Sequence, residues 1–371
     1  MENNRGQEKR IRKKKIPVLR IVVIIMASIV VLLSGTLIAM RMVGKRRLQT
    51  PVAGSDSIEL SLDTPEWEQV SDEPQAESDD SILYKGKRYQ RNEDIISILI
   101  MGIDKESVQT IGGQSWNEAE TGDNVGGQAD AQILMLIDPH TKTVNLVTIN
   151  RNTMTDVDVW DQNGDYLGVF TKQIALQHGY GDGGIESCEH QVKAVSRLFH
   201  GIPIHSYAAI EMDAIPEMNH AVGGVTVEVL DDVTGQVDHV RLYQGDTVTL
   251  NDMEAYYYLR YRNVNEFGSS DMRLKRQKQY VSAFAKKAKE QALSNINVAV
   301  DLYKTLQKYM VTDMDEATFT YMVTEYIGYD FQLDTIYSLE GETIQGDRFE
   351  EFYVDDDALQ DLIVELFYEP V

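Results

Sequence analysis

The sequence predicts an α/β (α+β) protein: a single domain with a central mixed sheet flanked by helices, preceded by one transmembrane helix. Two observations carry this. Short apolar runs of strand length alternate with longer stretches of helical spacing over most of the chain. Upstream, residues 21–40 form 20 consecutive positions without a charge, rich in Ile, Val and Leu.

An α-helix rises about 1.5 Å per residue, so that upstream run can cross a hydrocarbon core of roughly 30 Å. The alternative, a cleaved signal peptide, fits less well, because the run exceeds the usual apolar region of about 7–15 residues and no A-x-A site follows it. Before the run stand Arg5, Lys9, Arg10, Arg12, Lys13, Lys14, Lys15 and Arg20; after it stand Arg41, Lys45, Arg46 and Arg47. Lys and Arg favour the cytoplasmic side of a membrane. The expected topology is therefore a single-pass cell-membrane protein, with a basic cytoplasmic tail at 1–20 and an extracytoplasmic C-terminal part. Residues 41–82 read as an acidic linker holding Pro51, Pro65 and Pro74, too polar to offset the entropy of ordering. The folded domain is expected over 83–371.

Of 35 Lys+Arg and 59 Asp+Glu, residues 1–50 hold 12 and 2, which leaves 23 against 57, a net of −34, beyond residue 50. A nucleic-acid binder carries the opposite sign, so no nucleic-acid partner is expected. The same imbalance argues against a transcriptional regulator. Cys188 is the one cysteine; no intrachain disulfide can form, and a buried structural thiol is the simplest reading.

Along the domain, "DIISILIMGID" reads as a buried strand and 105–129 as a long Gly-rich loop. "AQILMLID" and "TVNLVTIN" read as strands joined by the turn signal "PHTK". "IESCEHQVKAVSRLFHG" has helical spacing and stops at Gly201. "HSYAAIEMD" and "VTVEVL" read as strands, and Asn251 with Glu254 three residues later forms a capping box before "YYYLR". A long amphipathic helix is expected from about Asp271 to Ala292, with further helices near 295–328 and 356–367.

The densest basic feature is "RYRNVNEFGSSDMRLKRQK" at 260–278. In a helix starting near Asp271, Arg273, Arg276 and Gln277 share one face, while Arg260 and Arg262 share one side of an extended segment. Such forks suit a dense anion such as pyrophosphate, although a solvated, ion-paired helix face has the same spacing. Asp104 follows one strand and Asp130 opens another; carboxylates at adjacent strand ends can hold Mg²⁺, or can simply stabilise turns. Arg151 follows a strand directly, and Lys172 is a weaker candidate of the same kind. The sequence contains no Walker A loop, no G-x-S-x-G, no C-x-x-C and no H-E-x-x-H.

An Asp at a strand start, an Arg 21 residues later, "VGGV" at 222–225 and "R-x-R…D-x-R-x-x-R-Q" at 260–277 follow one another in this chain. That order resembles the LytR-CpsA-Psr family of Gram-positive cell-envelope proteins over roughly residues 94–290. The resemblance implies an extracytoplasmic, Mg²⁺-dependent phosphotransferase. Its partners would be a polyprenyl-pyrophosphate-linked glycopolymer, peptidoglycan and the membrane, with an apolar pocket for the lipid. It implies Asp104 and Asp130 as metal ligands and Asp130 and Arg151 in catalysis. Arg260, Arg262, Arg273, Arg276, Gln277 and Lys172 would bind substrate. The family's "P-R-D-T" reads Asn150-Arg151-Asn152-Thr153 here, and Gln128 and Ala131 replace the usual Arg and Thr around Asp130. Asn152 cannot act as a base and is a weaker metal ligand than Asp. A binding protein of the envelope that holds polyprenyl pyrophosphate with impaired catalysis is the alternative.

Overall fold

The computed structural model describes residues 41–52, 54–55, 81–104, 126–161, 163–234, 240–263 and 267–371. The chain divides into one unit ending at Val43 and a second spanning Gly44–Val371, and the second holds every element below. The predicted membrane span at 21–40 lies outside the described residues. Among the described residues no helix is long and apolar enough to cross a membrane.

The strands are β1 (Ser81–Tyr84), β2 (Lys87–Arg91), β3 (Ile96–Asp104), β4 (Gln128–Asp138), β5 (Thr143–Ile149), β6 (Met154–Trp160), β7 (Tyr166–Gln173), β8 (Ser206–Glu211), β9 (Val225–Glu228), β10 (Val233–Thr234), β11 (Arg241–Leu242), β12 (Thr247–Leu250), β13 (Met310–Thr312), β14 (Asp330–Phe331), β15 (Tyr337–Ser338), β16 (Gly341–Gln345), β17 (Glu350–Val354) and β18 (Tyr368–Pro370). The helices are α1 (Ile185–Leu198), α2 (Ile215–Ala221), α3 (Asp252–Arg260), α4 (Ser269–Ser294), α5 (Asn297–Leu306), α6 (Glu316–Tyr326) and α7 (Asp356–Phe367).

The central sheet is mixed and seven-stranded, in the order β13-β8-β3-β4-β5-β14, with β15 also on β5. β3, β4 and β5 run antiparallel in sequence, and β8 lies parallel to β3. These strands read as continuous apolar runs because both faces of the sheet are covered, and the period of two divides them. Leu99, Met101, Ile103, Leu134, Leu136, Val147 and Ile149 face one core with Val192 and Val195 of α1 and Ile363 and Phe367 of α7. Ile96, Ile98, Ile137 and Val144 face the other side, with Tyr321 and Tyr326 on or beside α6. Ile133 and Leu146 on that second face meet Val281 of α4. The predicted central mixed sheet with flanking helices is the observed architecture.

Two helix ends follow the sequence signals. The Asn251 side chain accepts from the Glu254 N–H at 2.9 Å while Glu254 accepts from the Asn251 N–H at 2.8 Å, completing the capping box of α3. α1 stops where Gly201 takes φ +85° and its N–H reaches the Ser196 carbonyl at 2.8 Å, a left-handed exit that glycine allows without strain.

Other expectations need correction. Part of the predicted linker belongs to the folded unit: Leu48 and Ser55 are fully buried, and the Val52 N–H donates to the Ile204 carbonyl at 2.8 Å. Ser81 already opens β1, while 56–80 lie outside the described residues. The predicted loop 105–129 ends early, since Gln128 and Ala129 open β4; residues 105–125 lie outside the described ones. Within the stretch expected to be helical, Met310–Thr312 forms an edge strand antiparallel to β8. Three residues give no periodicity to detect. The β6–β7 and β16–β17 hairpins also carry no clean alternation, since β7 and β16 are largely exposed along their length and not on one face alone.

Candidate active site

Three strand ends meet at one edge of the central sheet: β3 ends on Asp104, β4 starts at Gln128, and β5 leads into Asn150 and Arg151. The β3–β4 ladder is bulged there. Gly102 pairs with Ala131 and Ile103 with Ala129, which leaves Asp130 without a ladder partner. A bulge frees one side chain from the alternation of its strand. Ala129 keeps its place in the core under α1, and Asp130 is released to meet charged neighbours.

Arg151 Nη1 lies 2.9 Å from Asp130 Oδ1, and Arg273 Nη1 donates to Asp130 Oδ2 at 3.1 Å. Arg151 also donates to the Gln128 side chain. Arg260 Nη2 pairs with Asp104 at 2.7 Å, and its guanidinium stacks on Tyr256 with the ring centre 4.9 Å away. Arg262 Nη2 pairs with Glu350 at 3.1 Å. Burial pushes the Asp130 carboxyl up, but Arg151 and then Arg273 outweigh it and hold Asp130 below the usual carboxylate range. Burial likewise disfavours charge on Arg273 and Arg262, and Arg273 adds to this on Arg262; both guanidiniums nevertheless stay protonated at neutral pH. Four guanidiniums are thus gathered at one edge of the sheet in a chain of net charge −24.

The cluster is incompletely satisfied. Arg273 Nη2 and Arg151 Nε are buried without a hydrogen-bond partner among the described residues. An unpaired buried donor costs free energy, which a ligand oxygen or a water molecule would recover. An anion with several oxygens, reached from the same side as Asp130, would take both.

The sequence-nominated residues divide into two groups. Asp104, Asp130, Arg151, Arg260, Arg262 and Arg273 come together. Arg276 and Gln277 lie on the buried side of α4 with Arg273 but turn to other partners. Arg276, 1% exposed, pairs with both Asp231 oxygens at 3.0 and 3.1 Å. It also donates to the Tyr261 carbonyl and lies near the Tyr258 and Tyr261 rings. It therefore fixes the segment that carries Arg260 and Arg262. Arg276→Ala should lower stability by about 3 kcal/mol, because Asp231 and a carbonyl lose a buried partner. Thermal denaturation checks this; a melting temperature within a degree of the parent would contradict it. The Gln277 amide donates to the Leu259 carbonyl at 3.4 Å, and its side chain is also on the wall of the apolar cavity described below. Lys172 stands on β7 opposite Thr155, and its neighbour Gln173 ties that hairpin to the site by donating to the Glu350 carbonyl at 2.8 Å.

Sequence reasoning missed Glu350, which is 5% exposed. Its N-terminal position on β17 is set by a hairpin with no motif, and it is one of 59 acidic residues. It also missed Asp271, whose carboxylate accepts from Asn150 at 3.0 Å and ties the end of β5 to the first turn of α4.

Beside the charged cluster lies an apolar cavity of about 120 Å³ between the second face of the sheet and α4. Gly102, Ala131, Leu259, Leu274, Tyr280 and Phe284 are among its walls. Ala131, Leu259 and Leu274 are chain neighbours of Asp130, Arg260 and Arg273, so cavity and cluster share their elements. Asp104 and Asp130 are the carboxylates to test for Mg²⁺. No group of three His, Cys, Asp or Glu side chains among the described residues could hold a metal. Mg²⁺ is commonly bound by one or two carboxylates with water and substrate phosphates completing its shell. Asp104 and Asp130 match that number, and in this structure each is held by guanidiniums, Asp104 by Arg260 and Asp130 by Arg151 and Arg273.

The family model of LytR_cpsA_psr matches residues 65–363. The chain belongs to the LytR_cpsA_psr family. Within the family's relatives, this member is 25% identical over 277 residues to the polyisoprenyl-teichoic acid–peptidoglycan teichoic acid transferase TagU of Bacillus licheniformis, covering 74% of this chain and 78% of that one. The crystal structure of Bacillus subtilis TagV superposes with a TM-score of 0.54 at 24% identity, over 73% of this chain and 95% of that chain. A structure titled TagT bound to LI-WTA matches with a TM-score of 0.50 at 19% identity, over 73% and 89%. These neighbours establish the LytR_cpsA_psr fold for this chain.

Proposed function

We propose that this protein transfers a glycopolymer from a polyprenyl-pyrophosphate carrier to peptidoglycan during cell-wall assembly. The observation that carries the reading is the juxtaposition of four guanidiniums, two of them with buried unpaired donors, and an apolar cavity built from the same elements. A pyrophosphate head suits the guanidiniums, and the cavity of about 120 Å³ suits the first carbons of a hydrocarbon tail. Curated relatives carry polyisoprenyl-linked teichoic acid and peptidoglycan in their names, which supports the same substrate pair.

The chemistry asked of the protein is mainly positioning and charge neutralisation. A hydroxyl of the acceptor glycan attacks the phosphorus on the polymer side of the pyrophosphate. A new P–O bond forms, the bridging P–O bond breaks, polyprenyl phosphate leaves, and the hydroxyl proton is released. Arg273 and Arg151 offer Nη2 and Nε to the oxygens on which charge develops, inside a site that excludes much of the solvent. Arg260 and Arg262 hold the diphosphate from the side of α3. Asp104 and Asp130 would hold Mg²⁺, which neutralises phosphate charge when bound. Residues 21–40 would anchor the chain in the cell membrane, with the folded part outside the cytoplasm and beside a donor held in the same bilayer.

The full-length chain in lipid nanodiscs, given a lipid-linked donor, peptidoglycan and Mg²⁺, should release polyprenyl phosphate and attach polymer covalently to peptidoglycan. Chelation should stop the release and added Mg²⁺ restore it. Donor binding without release would favour the non-catalytic binding protein instead. Asn152 is the observation behind that second reading. Its amide is committed to Ser270 at 2.9 Å and Gln173 at 3.2 Å, and supplies no carboxylate.

A further inference from the structure

We infer that Glu350 is a positioning residue of the anion site, the carboxylate that sets Arg262 and the start of α4 in place. This rests on the function proposed above. Glu350 opens β17 outside the motif-bearing segments and is 5% exposed. Its Oε2 accepts from Arg262 Nη2 at 3.1 Å, and its Oε1 accepts from the Gly268 N–H at 2.8 Å. Gly268 is the N-cap of α4, at φ +80°, five residues before Arg273. One buried carboxylate thus connects a guanidinium on the α3 side to the turn that launches the helix bearing Arg273. Negative charge at a helix N-terminus is also favoured by the helix dipole.

The carboxylate is itself held. The Glu350 carbonyl accepts from Gln173 at 2.8 Å, and two residues on the Phe352 N–H donates to the Asn152 carbonyl at 3.0 Å. Asn152 Nδ2 lies 3.5 Å from Glu350 Oε2 and donates to Ser270 Oγ at 2.9 Å. Arg262 also donates from Nε to Ser269 Oγ at 3.1 Å. Glu350, Asn152, Ser269 and Ser270 therefore surround the Arg262 fork and the first residues of α4. The site has room for one negative charge at that place, and this chain supplies it from position 350, with a neutral amide at 152. A carboxylate at 152 would fall close to the same point, and two carboxylates about 3.5 Å apart would repel.

That geometry predicts reciprocal effects. Glu350→Gln keeps shape and volume but loosens Arg262, so the KM for the lipid-linked donor and the Kd for inorganic pyrophosphate should both rise about tenfold, the loss of one charge-assisted hydrogen bond. The kcat should change much less, since Glu350 touches no reacting atom. Asn152→Asp alone should also weaken pyrophosphate binding. The double variant Asn152→Asp with Glu350→Gln should bind pyrophosphate better than either single variant, because the charge is relocated and not lost.

The experiment is calorimetric titration of inorganic pyrophosphate with Mg²⁺ into the full-length wild type and the three variants, with transfer kinetics and melting temperatures in parallel. Single losses with recovery in the double variant support the positioning role; a purely structural role gives no such recovery. Equal affinity in the wild type and Glu350→Gln overturns it, as do additive losses in the double variant. A wild type that neither binds pyrophosphate nor turns over donor overturns the functional reading itself, and this inference with it.

Discussion

Arg273→Ala is expected to lower polymer transfer by about 10²–10³-fold, the usual cost of removing one preorganised donor to a developing oxyanion. Two features make this the largest expected effect on rate. The guanidinium is buried, so its field is little weakened by water, and its two ends have different tasks. Nη1 holds Asp130, while Nη2 has no partner among the described residues and is available to the phosphoryl oxygens. Lysine should rescue little, because a point charge cannot hold Asp130 and a phosphate oxygen with one planar fork. Asp130 retains Arg151 in the variant, so the protein should stay folded and the loss should appear in kcat/KM. Initial rates of polyprenyl phosphate release measure it; a rate within threefold of the parent would remove Arg273 from the site.

Asp130→Asn carries the largest expected effect on stability. The substitution leaves Arg151 and Arg273 buried without their counter-charge, and breaking a buried pair in this way costs about 3–5 kcal/mol. The folded-state carboxyl titrates below its ordinary range, with burial opposing and the two arginines prevailing. Its contribution is therefore complete above the unfolded value of about pH 4 and lost as pH falls through the lower folded value. Urea unfolding of both proteins should show a gap that is constant from pH 8 to 5 and closes only in strong acid. A gap that closes near pH 6 would point to a histidine instead. Pyrophosphate should restore part of the variant's stability, since an anion bound to the native state supplies the missing charge and shifts the equilibrium by mass action.

The central architecture was legible because its signals are local. A sheet covered on both faces leaves apolar runs such as 96–103 and 131–137, and a capping box or a terminal glycine marks its own helix end. Arg273 could be nominated because a basic run stands out in an acidic chain, whereas Asp130 needed the family resemblance, since an Asp at a strand end also serves to stabilise turns. The partition of the basic run could not be read. Arg273 and Arg276 are three residues apart on one helix, yet one meets Asp130 and the other Asp231. Only the path of the loop after β9 decides that. Glu350 was invisible for a related reason: its position depends on where the β16–β17 hairpin comes to rest against Thr153, through the bridge to Phe352.

The unpaired residue in the β3–β4 ladder has a further consequence, for how the chain tolerates changes in length. Ile103 now faces Ala129, and Asp130 is the surplus residue. Deleting Ala129 would let Asp130 slide into the vacated place and aim its carboxylate at the apolar side shared by Ile103, Met101 and Leu134. Every functional side chain would still be encoded, in the same order, and the catalytic edge would nevertheless be dismantled. At this strand, the count of residues between Gln128 and Ala131 is under as much constraint as their identities.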